Sequence, residues 1–318
     1  MIERETWATG SAGRLRLRWT LPKGEGPFPW LMYLQGYAAG SVAFYKDADD
    51  PLRSLLGELN EVGYATVRAE KRGLGGSDGP PAEDASFEEE LDDYRSALRA
   101  VVAAEWCDPD FGVLFGHSLG ALHAPRLAAE CRSVRGVAVY GAGWLTWAEY
   151  SVAQRRRVLA MQGRDDDEIE ERLRIQQRFD ARVLQQGVDP ERAVKGLERY
   201  RQWLGVDEHG RLHGRTGRYW REVQACPVAR PLLALEVPVL AMWGSSDWLS
   251  ERAEHVALVD AVNAKRPGQA RFVEVPGADH AWRIHPTPLA SMTSGWTGAY
   301  APAVSDALIE WLDLVEER

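Results

Sequence analysis

The chain has 318 residues, of which 45% are hydrophobic and 27% charged, and its formal net charge is −9. An apolar fraction of this size excludes global disorder, and the acidic balance excludes a nucleic-acid partner, since nothing would neutralise a run of phosphates. The cysteines Cys107, Cys131 and Cys226 are odd in number and form no CxxC pair. This pattern favours free thiols in a reducing compartment.

The chain lacks the sequence patterns of export and membrane insertion. Residues 1–10 contain no apolar signal-peptide core, and no stretch approaches the roughly 20 apolar residues that span a bilayer. We therefore predict a soluble, cytoplasmic protein that has no membrane partner.

Short strand-like runs recur along the chain. The run at 14–20 alternates polar and apolar residues, which is typical of a half-exposed antiparallel strand. Short, β-rich runs that are typical of buried parallel strands follow at 30–35, 64–70, 112–115, 136–140, 237–243 and 271–275.

Helical patterns separate these runs. A capping-box pattern at 86–89 opens a predicted helix over 87–101, and further helices are predicted at 119–130, 251–264 and 304–315. Strands that alternate with helices predict an α/β fold with a mostly parallel central sheet flanked by helices. The segment 143–231 contains no convincing strand, so we predict a core of 1–142 and 232–318 with an inserted helical cap at 143–231.

The strongest chemical signal is Gly116-His117-Ser118-Leu119-Gly120, a G-x-S-x-G pattern between a strand and a helix. A sharp turn in this context exposes the serine hydroxyl at the carboxyl edge of the sheet, and the two glycines remove side chains that would collide there. A chance glycine-serine turn is the alternative. The strand–turn–helix context favours Ser118 as a catalytic nucleophile.

A serine hydroxyl is a weak nucleophile and needs a base. His280 lies in a loop just after the last predicted strand, which makes it the predicted base. His285 stays open as an alternative, whereas His117 precedes the serine and is expected to be structural. The remaining candidates, His123 and His255, fall in predicted helices and are expected to pack.

The base needs an acid that fixes its tautomer. Asp247 follows the predicted strand 237–243, so the chain order is Ser118, Asp247 and His280, as expected for an α/β-hydrolase triad. Asp279 is the alternative acid, but it is adjacent to the histidine in sequence, and neighbouring side chains rarely face each other.

The predicted oxyanion hole uses two backbone N–H groups. One is that of Leu119, directly after the serine, and the other is that of Tyr37 in the small-residue loop 34–41. A plain glycine-rich turn is the alternative reading of this loop.

With these motifs the chain resembles a serine hydrolase of the α/β-hydrolase superfamily over nearly its whole length. The loop at 72–79 resembles the R-G-x-G-x-S loop of many such enzymes. A closer resemblance, to bacterial carboxylesterases near the prolyl-oligopeptidase and acyl-peptidase-like group, rests on residues 35–36, 70–73, 117–120 and 124–125. It implies a mobile lid and ester hydrolysis through an acyl-enzyme. Many members have His-Gly where this chain has Gln35-Gly36, which leaves the second oxyanion donor open.

We therefore predict a carboxylic-ester hydrolase that acts on a small-molecule ester or thioester. A thioesterase or acyltransferase for a natural-product acyl chain, a peptidase or amidase, and a binding protein without turnover are the alternatives. Substrate contacts are predicted from Gln35, Trp144, Trp147, Tyr150, Trp248 and Trp282, with Trp203 and Trp220 as further aromatic candidates. No cofactor or metal is expected, because His209 and His213 lack the glutamate of a zinc motif. The oligomeric state stays open, with a homodimer allowed.

Overall fold

The computed structural model describes residues 2–44, 50–141, 144–226 and 229–317. Its strands are Ile2–Gly10 (β1), Gly13–Leu21 (β2), Phe28–Leu34 (β3), Ala65–Ala69 (β4), Cys107–His117 (β5), Val134–Tyr140 (β6), Val239–Gly244 (β7) and Ala270–Val275 (β8). Its helices are Pro51–Glu61 (α1), Phe87–Val102 (α2), Gly120–Ala128 (α3), Trp147–Met161 (α4), Asp166–Asp180 (α5), Pro190–Ala193 (α6), Arg201–Leu204 (α7), Gly217–Ala225 (α8), Ala229–Ala234 (α9), Arg252–Lys265 (α10), Pro288–Thr293 (α11) and Ala303–Glu316 (α12).

Within these residues the strands form one sheet of eight, in the order β1-β2-β4-β3-β5-β6-β7-β8. β1 and β2 pair antiparallel, β2 pairs antiparallel with β4, and all other pairs are parallel. Because the ends of parallel strands meet at one edge, the segments that follow β3, β5, β6, β7 and β8 lie side by side. The predicted mostly parallel α/β sheet is confirmed.

Helices cover both faces of the sheet. On one face, α2, α3 and α10 bury apolar side chains such as Leu91, Leu127 and Leu258 against the strands. On the other, α1 and α12 do the same with residues such as Leu55 and Leu308. Burial on both faces explains why the parallel strands are continuous apolar runs in the sequence.

The capping box predicted for α2 is formed. Ser86 Oγ accepts a hydrogen bond from Glu89 N at 3.2 Å, and Ser86 N donates to Glu89 Oε2 at 2.7 Å. β1 and α1 were not among the predicted elements. β1 is an edge strand whose residues are mostly exposed, so it lacks an apolar face that a periodicity argument could detect.

Helices α4 to α9 lie between β6 and β7, and we call α4 to α8 the inserted helices. They share an apolar cluster that includes Phe179, Leu204 and Trp220, and it also contacts Leu119 and Leu122 at the carboxyl edge of the sheet. α9 instead packs into the core through Leu232. The predicted boundary between residues 142 and 143 lies outside the described residues.

No helix in the described part of the chain is both long enough and apolar enough to cross a membrane.

Candidate active site

Ser118 stands at the end of β5, in the middle of the sheet. Its backbone φ is 54°, in the left-handed region that non-glycine residues rarely adopt, and its N–H donates to the Tyr140 carbonyl of β6 at 2.9 Å. A side chain at Gly120 would place a Cβ atom 2.1 Å from the Leu34 carbonyl oxygen. The strained turn and the missing side chain are those that the G-x-S-x-G pattern predicts.

Asp247 and His280 follow the two neighbouring strands, β7 and β8. His280 Nδ1 lies 2.8 Å from Asp247 Oδ2, and both side chains are buried. Asp247 also accepts hydrogen bonds from Ser250 Oγ at 2.6 Å and from the N–H groups of Leu249 and Ser250 at 2.7 and 3.1 Å. These bonds hold the carboxylate in place, so it can orient the imidazole ring through Nδ1.

Asp247 stabilises the protonated form of His280. Burial by itself lowers the pKa of His280, but the charge and hydrogen bond of Asp247 more than offset this effect and the pKa is raised. Burial opposes ionisation of Asp247 as well, yet the histidine and the hydrogen bonds lower the pKa of Asp247 to about 2. Asp247 therefore stays a carboxylate at neutral pH and can stabilise an imidazolium.

The alternative residues have other partners. His117 Nε2 lies 2.7 Å from the His280 carbonyl, and burial lowers the pKa of His117 to about 3. Since a carbonyl only accepts, Nε2 carries the proton and the neutral ring supports the His280 loop. Asp279 accepts from the N–H groups of Ala281 and Arg283 within its own loop, at 2.8 and 2.9 Å.

His285, the alternative base, lies beside this loop. Its Nε2 atom is 3.3 Å from Asp279 Oδ2, and the residue is not among the described residues that line the cavity next to Ser118. Among the described residues, His280 therefore lines the same cavity as Ser118, whereas His285 does not.

The loop after β3 approaches Ser118 closely. A side chain at Gly36 would place a Cβ atom 2.9 Å from the Cβ atom of Ser118. Lys71 Nζ donates to the Gly36 carbonyl at 2.7 Å and lies 2.6 Å from Glu90 Oε1, while Glu90 also pairs with Arg215 of the insertion. A buried ion network therefore fixes the orientation of the peptide between residues 36 and 37.

A cavity of about 450 Å³ opens between the carboxyl edge of the sheet and the inserted helices. Ser118 and His280 line it from the sheet, with Tyr37 and Leu119 beside them. Four predicted pocket residues also line it: Gln35, Trp147, Tyr150 and Trp248. The Nε2 atom of Gln35 is buried without a hydrogen-bond partner among the described residues, so the amide is available to a ligand.

Two predicted pocket residues lie elsewhere. Trp282 turns under the His280 loop, where its ring packs on His117 at a centroid distance of 4.7 Å. Trp144 packs against the apolar cluster on the face of the sheet that α2, α3 and α10 cover, and its backbone N–H donates to Glu254 Oε2 at 3.0 Å. Trp203 and Trp220 pack in the apolar cluster of the inserted helices. They do not line the cavity in the part of the chain that the structure describes.

Several lining residues were not foreseen. Trp296 lies at the mouth with 46% of its surface exposed, and its ring centroid is 5.6 Å from that of Trp248. His213 lines the wall, and burial lowers its pKa to about 4, while its partner in the rejected metal motif, His209, is exposed. Arg155 is also in the lining. His213 lies in a turn, Trp296 in a bend and Arg155 in α4, and in each case only the direction of the side chain in three dimensions could have selected the residue.

The geometry agrees with comparisons against known proteins. Residues 51–283 match the model of the Hydrolase_4 family, described as serine aminopeptidase, S33. The chain belongs to this family. It is therefore an α/β hydrolase of the serine-hydrolase type, whereas the closer esterase group stays a prediction. A search of curated protein sequences finds no match.

Solved structures give the same fold at low identity. Est1E from Butyrivibrio proteoclasticus, with ferulic acid bound, is 18% identical with a TM-score of 0.62, over 98% of this chain and 100% of that one. The α/β hydrolase GrgF from Penicillium sp. sh18 is 15% identical with a TM-score of 0.61, over 100% and 99%. An esterase domain from Rhodothermus marinus is 18% identical with a TM-score of 0.56, over 98% of both chains.

Proposed function

We propose that this hydrolase cleaves carboxylic esters through a Ser118–His280–Asp247 triad and an acyl-enzyme. The observation that carries the proposal is the Asp247–His280 contact of 2.8 Å at the floor of a cavity that Ser118 and His280 both line. A serine in a strained turn beside a histidine that a buried carboxylate orients is an arrangement for nucleophilic catalysis.

In the first step, His280 Nε2 takes the proton of Ser118 while the serine oxygen attacks the ester carbonyl. The resulting imidazolium gives that proton to the departing alcohol, which leaves the acyl group on Ser118. Water then attacks the acyl-enzyme with His280 as the base again, and the acid is released. Asp247 keeps the proton of the ring on Nδ1 and stabilises the positive charge.

The negative oxygen of each tetrahedral intermediate is proposed to bind the N–H groups of Leu119 and Tyr37. Lys71 supports the second assignment. In a trans peptide the carbonyl and the following N–H point in opposite directions, so the bond from Lys71 to the Gly36 carbonyl turns the Tyr37 N–H away from Lys71. The close approach of Gly36 to Ser118 also supports this donor, since Tyr37 is the next residue in the chain.

The division into a core of 1–142 and 232–318 and a cap of 143–231 belongs to the same proposal. The cavity walls support it, since Gln35, Ser118 and His280 come from core segments and Trp147 and Tyr150 come from the insertion. A cap that covers the cavity would limit the access of bulk water and select a small-molecule ester or thioester by shape. Cytoplasmic location and a homodimer stay predictions.

The test is the initial rate on p-nitrophenyl esters from acetate to laurate. Wild type and Ser151→Ala should hydrolyse at least one ester, while Ser118→Ala should lose about 10⁴-fold or more in kcat. Ser151 is the matched control because it is a second serine in the same cavity. Activity that survives in folded Ser118→Ala would refute the proposal.

A matched ester, thioester and anilide of the best acyl chain then separate the alternatives. The ester is expected to be the fastest. A thioester that is strongly preferred over the ester favours a thioesterase, and hydrolysis of the anilide at a similar rate favours an amidase. An acyltransferase would show product formation only when an acceptor alcohol or amine is added.

A further inference from the structure

The end of the cavity formed by the inserted helices is polar. Its side chains come from two antiparallel helices: Ser151, Gln154 and Arg155 of α4, and Gln176 and Asp180 of α5. We call these five residues the polar end. Such groups are costly to bury next to an apolar pocket unless each finds a hydrogen-bond partner.

Asp180 has its partners within the protein. Its two oxygens accept hydrogen bonds from Ser151 Oγ at 2.6 Å and from Gln176 Nε2 at 2.9 Å. Burial nevertheless raises the pKa of Asp180 to about 6. Asp180 therefore ties α4 to α5, and its hydrogen bonds are made within the two helices.

Arg155 differs from its two neighbours in sequence. Arg156 points outward and pairs with Glu170 at 2.7 Å, and Arg157 donates to the Leu249 carbonyl at 2.8 Å. Successive residues of a helix point about 100° apart, so Arg155 alone of the three turns into the cavity.

The guanidinium of Arg155 lies over the ring of Trp203, 5.0 Å from its centroid. Among the described residues, Arg155 makes no hydrogen bond through its guanidinium and no ion pair, not even with Asp180. Burial lowers the pKa of Arg155, and the nearby carboxylate of Asp180 only partly offsets this effect. The N–H groups of a charged and largely buried side chain are thus open to a ligand.

The charge of Arg155 acts on other residues that line the cavity. Burial lowers the pKa of His213, and the positive charge of Arg155 lowers it further. Burial raises the pKa of Tyr37, and the same charge opposes that rise. All three residues line the same cavity as Ser118. A ligand in this cavity can therefore contact Arg155 and Ser118 together.

We propose that Arg155 binds a carboxylate that the substrate carries at a distance from its scissile ester. The inference rests on the proposed ester hydrolysis and names its substrate class. A guanidinium fits a carboxylate with two parallel hydrogen bonds. One arginine balances the single charge of a carboxylate, whereas a phosphate would bring a second negative charge next to Asp180.

The test uses ester pairs that differ only in the remote group. One series is p-nitrophenyl monoesters of linear dicarboxylic acids, and the other is acetate esters of linear hydroxy acids, each compared with the corresponding remote methyl ester. For wild type, kcat/KM should favour the free carboxylate by about 10- to 100-fold at one chain length of one series, as for a charge-assisted hydrogen bond.

Arg155→Met should bring that ratio close to one, because methionine keeps an unbranched apolar stem but has neither the charge nor the N–H donors. Arg156→Met is the matched control, since it removes the exposed neighbouring arginine, and it should keep the ratio. A wild-type ratio near one in both series, or an unchanged ratio in Arg155→Met, would overturn the assignment.

Binding without turnover separates this inference from the proposed function. In Ser118→Ala, monomethyl suberate should bind at least tenfold more tightly than dimethyl suberate by calorimetry, and adding Arg155→Met should abolish the difference. Equal binding of the two ligands contradicts the carboxylate site even if wild type hydrolyses esters. Selective binding by a protein that hydrolyses no ester contradicts the proposed function and leaves the site standing.

Discussion

Lys71 offers the sharpest test of the proposed oxyanion hole, because it contacts neither the substrate nor the triad. Its ammonium joins the Gly36 carbonyl at 2.7 Å and Glu90 at 2.6 Å, and the side chain is only 3% exposed. Lys71→Met would remove the bond that orients the peptide while it keeps the volume of the side chain. The pair between Glu90 and Arg215 would remain to balance the buried carboxylate.

The magnitude follows from these contacts. A hydrogen bond from a charged donor contributes about 1.5–3 kcal/mol. Its loss would therefore lower the population of the productive peptide orientation, relative to other orientations, by a factor of about 10 to 100. Removal of a whole oxyanion donor costs about 10²- to 10³-fold in kcat, which sets the upper limit. We therefore expect kcat to fall about 10- to 100-fold.

The assay is steady-state hydrolysis of the best p-nitrophenyl ester across the pH range, with folding checked by circular dichroism. The acidic limb of the pH profile should stay in place, since His280 and Asp247 keep their contact. Lys265→Met is the matched control, because Lys265 also donates to a carbonyl, that of Leu233 at 2.9 Å, but far from the cavity. A folded Lys71→Met with wild-type kcat, or with a shifted acidic limb, would refute the reasoning.

Other residues give further predictions. Asp247→Asn should lower kcat by about 10³- to 10⁴-fold and move the acidic limb of kcat/KM to lower pH, because the carboxylate raises the pKa of His280, the proposed base; an unmoved limb would contradict the pair. His123 is buried with both ring nitrogens unpartnered among the described residues, and burial holds its pKa well below the usual value. Only the unfolded chain then takes up a proton below about pH 6.5, so stability falls as the pH drops; His123→Leu should recover as much as about 2 kcal/mol more at pH 5 than at pH 8 in urea unfolding, and equal gains would argue against this. Trp296→Ala should raise KM for aryl esters by about 2- to 10-fold with a smaller change in kcat, because an aromatic wall of the cavity mouth is lost; a fall mainly in kcat would show that the ring acts on chemistry instead.

The sheet and the positions of the proposed triad residues were predictable for one physical reason. Parallel strands buried on both faces are apolar runs in the sequence, and Ser118, Asp247 and His280 each follow such a run directly. Chain order and strand ends therefore specify which edge these residues share. The loop after β3 was predictable for the same reason. The hydrogen bond from Lys71 to the Gly36 carbonyl in that loop was not predictable from the sequence.

Pocket residues were harder to predict, because adjacency in sequence does not give the direction of a side chain. Trp282 is two residues from His280, yet its ring lies under the loop with His117 rather than in the cavity. The run at 155–157 has three identical residues with three different surroundings. Only the phase of α4 relative to the core distinguishes Arg155 from Arg156, and the sequence of an inserted helix does not encode that phase locally.

The central claim is that Ser118 is the nucleophile activated by the His280–Asp247 pair. The most direct measurement is peptide mapping by mass spectrometry after reaction with a fluorophosphonate. We expect one phosphonyl group on the peptide that contains Ser118, with labelling slowed strongly in His280→Ala and unaffected in Ser151→Ala. A label on Ser151 or any other residue, or no label on folded wild-type protein, would contradict it.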